Sequence, residues 1–308
     1  MSSQSMSLIN IDDLRAKTDA LIDTMYAVRD DFSLIPQKEH IGTCINYSDL
    51  IEMRDEFLQE LILTVVQWVY SRNKQETLLR QFEAEGRDLS GANVLLSRRA
   101  ISKFRRSDLQ GQFSELLLAN LLQHYFKAVP LLRKMTLTTN TGLERNGADA
   151  IHLANQSGKY VIYLGEAKTH AAKDGNNLKT GLKEAVHDVL DKYKGHRKEL
   201  DLYLYEDFIS PELEQIARRY KSGTLTDIEI HLVCIVTYDI CKSVEGMTRQ
   251  AKLDKLISCI KEETSGLKSS KAFSQIPGEM LPRMNYIIFP VQNLNSLIAS
   301  FTKQLTGE

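Results

Sequence analysis

An acid and a base stand two residues apart at the end of an apolar segment, as Glu166 and Lys168. Residues 160–168 are rich in Tyr, Val, Ile and Leu, which predicts a β-strand on which Glu166 and Lys168 share one face. Both faces of this strand look buried, and a buried charge is costly unless it is paired, bound to a metal or open to a cleft. We therefore take the two side chains as candidates for chemistry, with a structural ion pair as the alternative.

A second carboxylate, that of Asp149, lies on the preceding predicted strand, residues 148–153. A hairpin between the two strands would bring Asp149 close to Glu166, where the two negative charges would repel each other. A hard divalent cation relieves that repulsion, and Mg²⁺, or Mn²⁺ in its place, prefers oxygen ligands and is commonly held by one or two carboxylates. Lys168 could then position or help deprotonate a metal-bound water for attack on phosphorus, or neutralise charge on the phosphorane oxygens.

A third acid, Glu115, interrupts the apolar stripe of a predicted helix that runs from about residue 111 to 127. It shares a face with Leu118, Ala119 and Leu122, so with the helix packed over the sheet it could reach the same cation directly or through water. The alternatives are a glutamate that extends to solvent and a charge near the helix start that is favoured by the helix dipole.

The elements that must position these residues follow from changes in hydrophobic period. Helices are predicted at residues 50–69, with Ser48 as N-cap, and at 111–127, 177–193, 248–261 and 294–304; strands at 135–139, 148–153, 160–168, 230–236 and 286–289. The fold class is α/β (α+β), with a mixed central sheet flanked by helices. We divide the chain into a mainly helical region at 1–110, a core at 111–240 that carries the candidate site, and a C-terminal α/β extension at 241–308 packed on that core.

Composition narrows the function classes. The 308 residues are 43% hydrophobic and 26% charged, as in globular proteins, and the formal net charge of −1 means that any nucleic-acid contact must be local or shared with a partner. The four cysteines lack metal-site spacing and favour reduced thiols, while the absence of a long apolar run predicts a cytoplasmic protein without membrane anchoring. The sequence has no Walker-type phosphate loop, Ser-His-Asp order or H-E-x-x-H helix, which argues against an ATPase, a serine hydrolase and a zinc protease.

Several further residues have both a functional and a structural interpretation. His152 is expected to pack on the opposite sheet face, whereas His170, on the face of Lys168, could contact substrate. The basic run from Arg98 to Arg106 could bind DNA or an acidic partner, or form a solvated surface. The helix with Lys179, Lys183, Lys192 and Lys194 is interleaved with Glu184, Asp188 and Asp191, which is typical of a solvated face, although Lys179 and Lys183 could approach a phosphate. Trp68 is expected in the core or in a subunit interface.

The helix with Glu115, the strands with Asp149 and with Glu166-Ala-Lys168, a helix and a further strand together resemble the PD-(D/E)xK nuclease superfamily, over residues 111–239. The segments Gly147-Ala-Asp-Ala and Tyr163-Leu-Gly-Glu-Ala-Lys-Thr are more specifically similar to the HamA family, the nuclease subunit of the Hachiman anti-phage system. The chain has Gly-Ala-Asp where the superfamily motif has Pro-Asp, a departure that keeps the carboxylate.

The resemblance implies a Mg²⁺-dependent deoxyribonuclease with Asp149, Glu166 and Lys168 as catalytic residues and Glu115 as a fourth member. The metal ligands would be Asp149, Glu166 and Glu115. It also implies DNA as substrate and, as partner, a superfamily 2 helicase subunit (HamB-like) that works with the nuclease and restrains it. The alternative is a catalytically inactive, nuclease-like regulatory or docking subunit that binds DNA or a partner protein.

Overall fold

The computed structural model describes residues 11–48, 51–133, 147–171, 177–203, 211–225, 227–240 and 247–307. The strands are β1 (Met25–Asp30), β2 (His40–Ile45), β3 (Tyr47–Ser48), β4 (Ile51–Glu52), β5 (Val129–Leu132), β6 (Ala150–Gln156), β7 (Lys159–His170), β8 (Ile228–Asp239) and β9 (Met284–Val291). The helices are α1 (Asp19–Asp23), α2 (Arg54–Leu63), α3 (Val65–Val69), α4 (Arg72–Ala84), α5 (Leu89–Ile101), α6 (Leu109–Tyr125), α7 (Asn177–Tyr203), α8 (Pro211–Lys221), α9 (Arg249–Thr264), α10 (Lys271–Ser274) and α11 (Leu294–Thr306).

One mixed sheet organises the described part of the chain, with seven strands in the order β1-β2-β9-β8-β7-β6-β5. The central pairs β2–β9, β9–β8 and β8–β7 are parallel, while β1–β2, β7–β6 and β6–β5 are antiparallel. A parallel interior strand is covered on both faces, which explains the unbroken apolar run of β8, where residues 232–236 are fully buried. The predicted α/β class, with a mixed central sheet flanked by helices, is confirmed.

Two hydrophobic clusters cover the two faces of this sheet. Ile162 and Leu164 of β7 belong to the cluster that contains the buried residues of α7 and α9. Val161 and Tyr163, which point the other way, belong to the cluster with α2, α6 and α11. Side chains alternate along a strand, so Glu166 and Lys168 lie on the α7 side of the sheet.

The predicted helix over residues 50–69 is wrong in its start and in its continuity. Residues 47–48 pair with residues 51–52 as β3 and β4, so Ser48 is a strand residue and not an N-cap, and α2 begins at Arg54. The helix is interrupted at Thr64, whose hydroxyl donates to the carbonyl of Leu61 at 2.7 Å and accepts from Asn120 Nδ2 at 2.8 Å. A tertiary contact with α6 thus ends α2 and starts α3, which hydrophobic periodicity cannot indicate.

The strands of the first half depart further from the prediction. Val129–Leu132, which was not predicted as a strand, pairs with β6 as an edge strand with a register shift near Pro130. The predicted strand at 135–139 lies outside the described residues. β1 and β2 come from the region predicted to be mainly helical, and β9 lies inside the sheet between β8 and β2. The division at residues 110 and 240 stays a prediction, and the sheet takes strands from all three segments.

Other predicted features agree with the structure. Helix α6 begins after Asp108, whose side chain accepts from the backbone N–H of Gly111 at 3.3 Å, and helices α9 and α11 match their predicted ranges closely. Helix α7 continues ten residues past its predicted end at 193. Cys44, Cys234 and Cys259 are buried free thiols. Within the described ranges, no helix has the length and hydropathy needed to cross a bilayer.

Candidate active site

Asp149 is fixed beside Glu166 and Lys168 by the pairing of β6 with β7. The register places Ala150 opposite Gly165, so Asp149, one residue earlier, meets the end of β7 where Glu166 lies. The backbone N–H of Asp149 donates to the carbonyl of Gly165 at 3.0 Å, and its Oδ2 accepts from the backbone N–H of Ala167 at 2.9 Å. The Asp149 carboxylate is therefore held against the backbone of the Glu-x-Lys segment.

Glu166 is the most buried charged group of the site, with only 2% of its side chain exposed. Its carboxylate contacts the ammonium groups of Lys168, at 3.0 Å, and of Lys192. Burial and the charge of Asp149 raise the pKa of Glu166 while the two lysines lower it, and the net result is a pKa of about 7. Near neutral pH the carboxyl is thus balanced between its charged and neutral forms.

Lys168 lies between two acids. Its Nζ is 3.0 Å from Glu166 Oε1 and 2.6 Å from Asp188 Oδ2, an acid on α7. Burial alone would lower the pKa of Lys168, but the hydrogen bonds and charges of Asp188 and Glu166 outweigh it and raise the pKa above its ordinary value. Lys168 therefore stays an ammonium, which suits it to donate hydrogen bonds and neutralise charge and not to accept a proton.

Lys192 is a member of the site that sequence analysis missed. It lies on α7, and its Nζ is 3.6 Å from Asp149 Oδ1 and in direct contact with Glu166 Oε2. One positive charge thus reaches both carboxylates. The interleaved charges of α7 predicted a solvated face. Asp188 and Lys192 are, however, one helical turn apart and next to Val189, which is buried. Their position beside the apolar stripe was the sequence signal that could have placed them in the site.

A ladder of ion pairs joins β7 to α7. Glu166, Lys168 and His170 on the strand contact Lys192, Asp188 and Glu184 on the helix, in opposite chain directions. Successive ladder residues are two apart on the strand and four apart on the helix, which correspond to about 6.6 Å along a strand and about 6.0 Å along a helix. The two elements can therefore pair side chain with side chain along the ladder. His170, which we had considered for substrate contact, has its Nε2 3.0 Å from Glu184 Oε2 in this structure.

Glu115 and Asp149 both line a small cavity on the α6 side of the sheet. The cavity is about 20 Å³ in volume, which is room for about one water-sized species. Its lining also includes Trp68, Arg133 and His152. Glu115 Oε1 is 3.9 Å from a guanidinium nitrogen of Arg105, a member of the basic run, so the two side chains form an ion pair beside the cavity.

His152 is buried in the wall of this cavity. It lies on the sheet face away from Ile151 as predicted, but it was also expected to point away from Asp149, which lines the same cavity. Neither ring nitrogen makes a hydrogen bond of good geometry with the described residues, and burial lowers the pKa of His152 to about 3. The ring is therefore neutral at physiological pH. Trp68 packs against Phe104 with ring centroids 5.4 Å apart, in keeping with a core position.

The donor set at Asp149 and Glu166 fits a hard divalent cation. Both groups are oxygen ligands, and the shared contact with Lys192 Nζ places a carboxylate oxygen of each within reach of one positive centre. Among the described residues, no three or more His, Cys, Asp and Glu side chains form a group that could hold a metal ion, so Glu115 is not brought into one ligand set with Asp149 and Glu166. Two carboxylates can still suffice for Mg²⁺, because it keeps several waters and takes further ligands from substrate phosphate.

Comparison with known proteins adds one finding. A family model described as HamA matches residues 19–305, almost the whole chain. No curated protein matches the chain.

Proposed function

The chain belongs to the HamA family, and on that premise we propose that it is a metal-dependent nuclease that hydrolyses DNA phosphodiester bonds at Asp149, Glu166 and Lys168. The observation that carries the proposal is the single ammonium, that of Lys192, in contact with both the Asp149 and the Glu166 carboxylates. Two carboxylates that share one positive charge beside a lysine form a site in which a divalent cation can replace that charge.

The chain's own residues divide the work of the reaction between them. Asp149 and Glu166 would hold the cation, which when bound polarises a phosphoryl oxygen and lowers the pKa of an attacking water. Lys168, a fixed ammonium at the mouth of the site, orients that water or neutralises charge on the phosphorane oxygens. Glu115 lines the small cavity together with Asp149 and could hold a water there, which would make it a supporting acid that acts on the metal through that water.

We also propose that the core has the PD-(D/E)xK arrangement. Helix α6 with Glu115, strands β6 and β7 with Asp149 and Glu-x-Lys, helix α7 and strand β8 follow one another in the order of that superfamily. The candidate residues lie at the end of β7, where β6 and α7 both approach them. This order supports the superfamily assignment independently of the spacing between the motifs.

The partner follows from the family. We propose that the protein acts in a Hachiman anti-phage system with a superfamily 2 helicase subunit, which would restrain the nuclease and share the phosphate contacts. A formal net charge of −1 supports such sharing, because a protein that binds a duplex alone normally carries an excess of Lys and Arg.

A second candidate function is a catalytically inactive subunit with the same fold. It is favoured by the ion pairs that already satisfy Glu166, since Lys168 and Lys192 compensate its charge without any cation. In that case Asp149, Glu166 and the lysines form a structural ion-pair network. DNA mixed with the protein would then stay uncut with or without Mg²⁺, in wild type and in a Glu166 variant alike.

The test is cleavage of end-labelled single-stranded and duplex DNA by the purified full chain, with Mg²⁺, Mn²⁺ or EDTA. We expect cation-dependent cleavage that falls by at least about 100-fold in Glu166→Gln, which keeps the shape but loses the charge. Glu229→Gln, an exposed acid on β8, is the matched control and should cut like wild type. Cleavage that persists in EDTA, or at wild-type rate in Glu166→Gln, would contradict the proposal.

A further inference from the structure

A strongly basic cavity lies next to the candidate active site. It is about 170 Å³ in volume and is lined by the cations Arg15, Lys17, Arg72 and Arg133 with the amides Gln67 and Gln75. Its remaining lining residues, Leu14 and Ala16, are apolar, so no acidic side chain lines the cavity. In a chain whose net charge is −1, such a concentration of positive charge is local and marks a site for an anion.

Two of the four cations, Lys17 and Arg72, are not neutralised by a described residue. Arg15 Nε is 3.1 Å from Asp12 Oδ1, an exposed acid outside the cavity lining. Neither Lys17 nor Arg72 forms an ion pair with any described residue, and both side chains are exposed to solvent. Arg72 is also the first residue of α4, a helix of 13 residues, so the positive end of the helix dipole adds to the potential.

Arg133 connects this cavity to the active site. It lines both the basic cavity and the small cavity between Glu115 and Asp149. Its Nε donates to the backbone carbonyl of Gln67 at 3.3 Å, which fixes it against α3. Helix α3 also lines both cavities, the basic one through Gln67 and the small one through the next residue, Trp68.

We propose that this cavity binds a backbone phosphate of the nucleic-acid strand, adjacent to the phosphodiester that reaches Asp149 and Glu166. The inference rests on the proposed function for the identity of the strand. Guanidinium and ammonium groups are the usual ligands of backbone phosphates, and contacts of this kind fix the register of a strand without reading its sequence. A strand held on the cations by one phosphate would present the neighbouring one to the acidic pair.

The experiment measures binding and not cleavage, so that it stands apart from the nuclease test. The full-length Lys17→Gln/Arg72→Gln variant, in which both changed side chains are exposed, is compared with wild type for a fluorescent single-stranded oligonucleotide and a duplex in EDTA, over a salt series. Arg80→Gln is the control, since Arg80 is an exposed arginine two turns further along α4 and is paired with Glu76.

We expect the double variant to bind DNA roughly tenfold more weakly and its salt slope to fall by about 1 to 2, while Arg80→Gln matches wild type. Equal affinity of the double variant and wild type, or an equal loss in Arg80→Gln, would overturn the proposal.

Inorganic phosphate separates the two sources of a phosphate group. Stabilisation of wild type but not of the double variant by inorganic phosphate, together with unchanged oligonucleotide binding, would assign the cavity to free phosphate and overturn a strand site. The binding experiment is done in EDTA, without a divalent cation. Weaker DNA binding by the double variant therefore supports the phosphate site even if wild type fails to cut DNA in Mg²⁺. If the double variant binds DNA as wild type does while wild type cleaves DNA in Mg²⁺, the phosphate site in the cavity is overturned and the nuclease proposal is not.

Discussion

Lys192 competes with any cation for the two carboxylates of the site. Its Nζ lies 3.6 Å from Asp149 Oδ1 and contacts Glu166 directly. In Lys192→Met this competing charge is gone, and we expect Mn²⁺ to bind roughly tenfold more tightly by calorimetric titration. In EDTA the same variant should lose about 2 kcal/mol of unfolding free energy, because two carboxylates are left with less compensation.

Lys194→Met is the matched control, since Lys194 lies two residues further on α7 and pairs at the surface with Asp191. It should leave both quantities at their wild-type values. A Lys192→Met protein with unchanged Mn²⁺ affinity would show that Lys192 does not occupy the cation position.

The pKa of Glu166 makes the metal-free protein sensitive to pH. Burial raises this pKa from 4.5 to about 7, so the folded state holds the proton more tightly than the unfolded state does. The stabilisation is fully present below pH 4.5 and is lost as the pH rises through 7, with a maximum of about 3 kcal/mol. Urea unfolding in EDTA from pH 5 to 8 should show a steeper loss of stability in wild type than in Glu166→Gln. Parallel pH profiles for the two proteins would refute this.

At the scale of residues, strand alternation was sufficient to place Glu166 and Lys168 on one face and Asp149 beside them. Sequence alone could not identify Lys192 and Asp188, because their direction depends on how α7 packs against β7. His170 was placed on the correct strand face, yet its partner Glu184 comes from the same helix and was equally hidden. Partners that are distant in sequence escape local patterns for this reason.

At the scale of elements, the site depends on the close approach of α7 to β7 and β8. A Cβ added at Gly181 would lie 2.7 Å from Val236 Cγ1 and 2.8 Å from His170 Cδ2. Gly181→Ala should therefore push the helix outward and cost about 1 to 3 kcal/mol of unfolding free energy. The displacement would also separate the ion pairs of the ladder, so Mn²⁺ affinity should change together with stability.

Gly195→Ala on the same helix is expected to act in the opposite direction. Nothing lies within 4 Å of a Cβ added there, so the substitution should stabilise the helix by about 0.5 to 1 kcal/mol. Chemical denaturation of both variants measures the contrast. A Gly181→Ala protein as stable as Gly195→Ala would mean that α7 does not pack as tightly as described.

The predictability of the elements depended on their neighbours. Helices α6, α9 and α11 were placed from their hydrophobic patterns, which are local signals, whereas their caps, such as Asp108 and Thr248, were not predicted. The break at Thr64 was not, because it arises from a hydrogen bond with Asn120 on another helix. The edge strand β5 was missed because Pro130 indicates a chain break equally well in a loop and at a sheet edge.

At the scale of the whole molecule, the sheet depends on strands from both ends of the chain. β9 lies between β8 and β2, and its loss would expose the buried side chains of β8 and detach β2. A fragment of residues 111–240, the segment predicted to hold the core, should therefore fail to fold on its own. Circular dichroism and limited proteolysis should find no cooperative unfolding, whereas a cooperative transition like that of the full chain would show the fragment to be an independent domain.

The order of the strands in the sheet could not be predicted from the sequence for a related reason. Residues 286–289 were correctly predicted as a strand, but their apolar character fits an edge and an interior position alike. Pairing of β2 with β9 joins residues 246 positions apart, as in Ile41 with Ile287, and no pattern within either segment specifies its partner. The fold class was predictable from local periods, whereas the topology required tertiary contacts.

The proposed chemistry depends on one cation between Asp149 and Glu166, and anomalous diffraction from crystals of the full chain grown with Mn²⁺ tests this most directly. We predict a strong peak in contact with carboxylate oxygens of both residues, with Lys192 moved away from at least one of them. A structure at saturating Mn²⁺ that has no peak there and keeps Lys192 bridging the two carboxylates would contradict the metal-dependent nuclease.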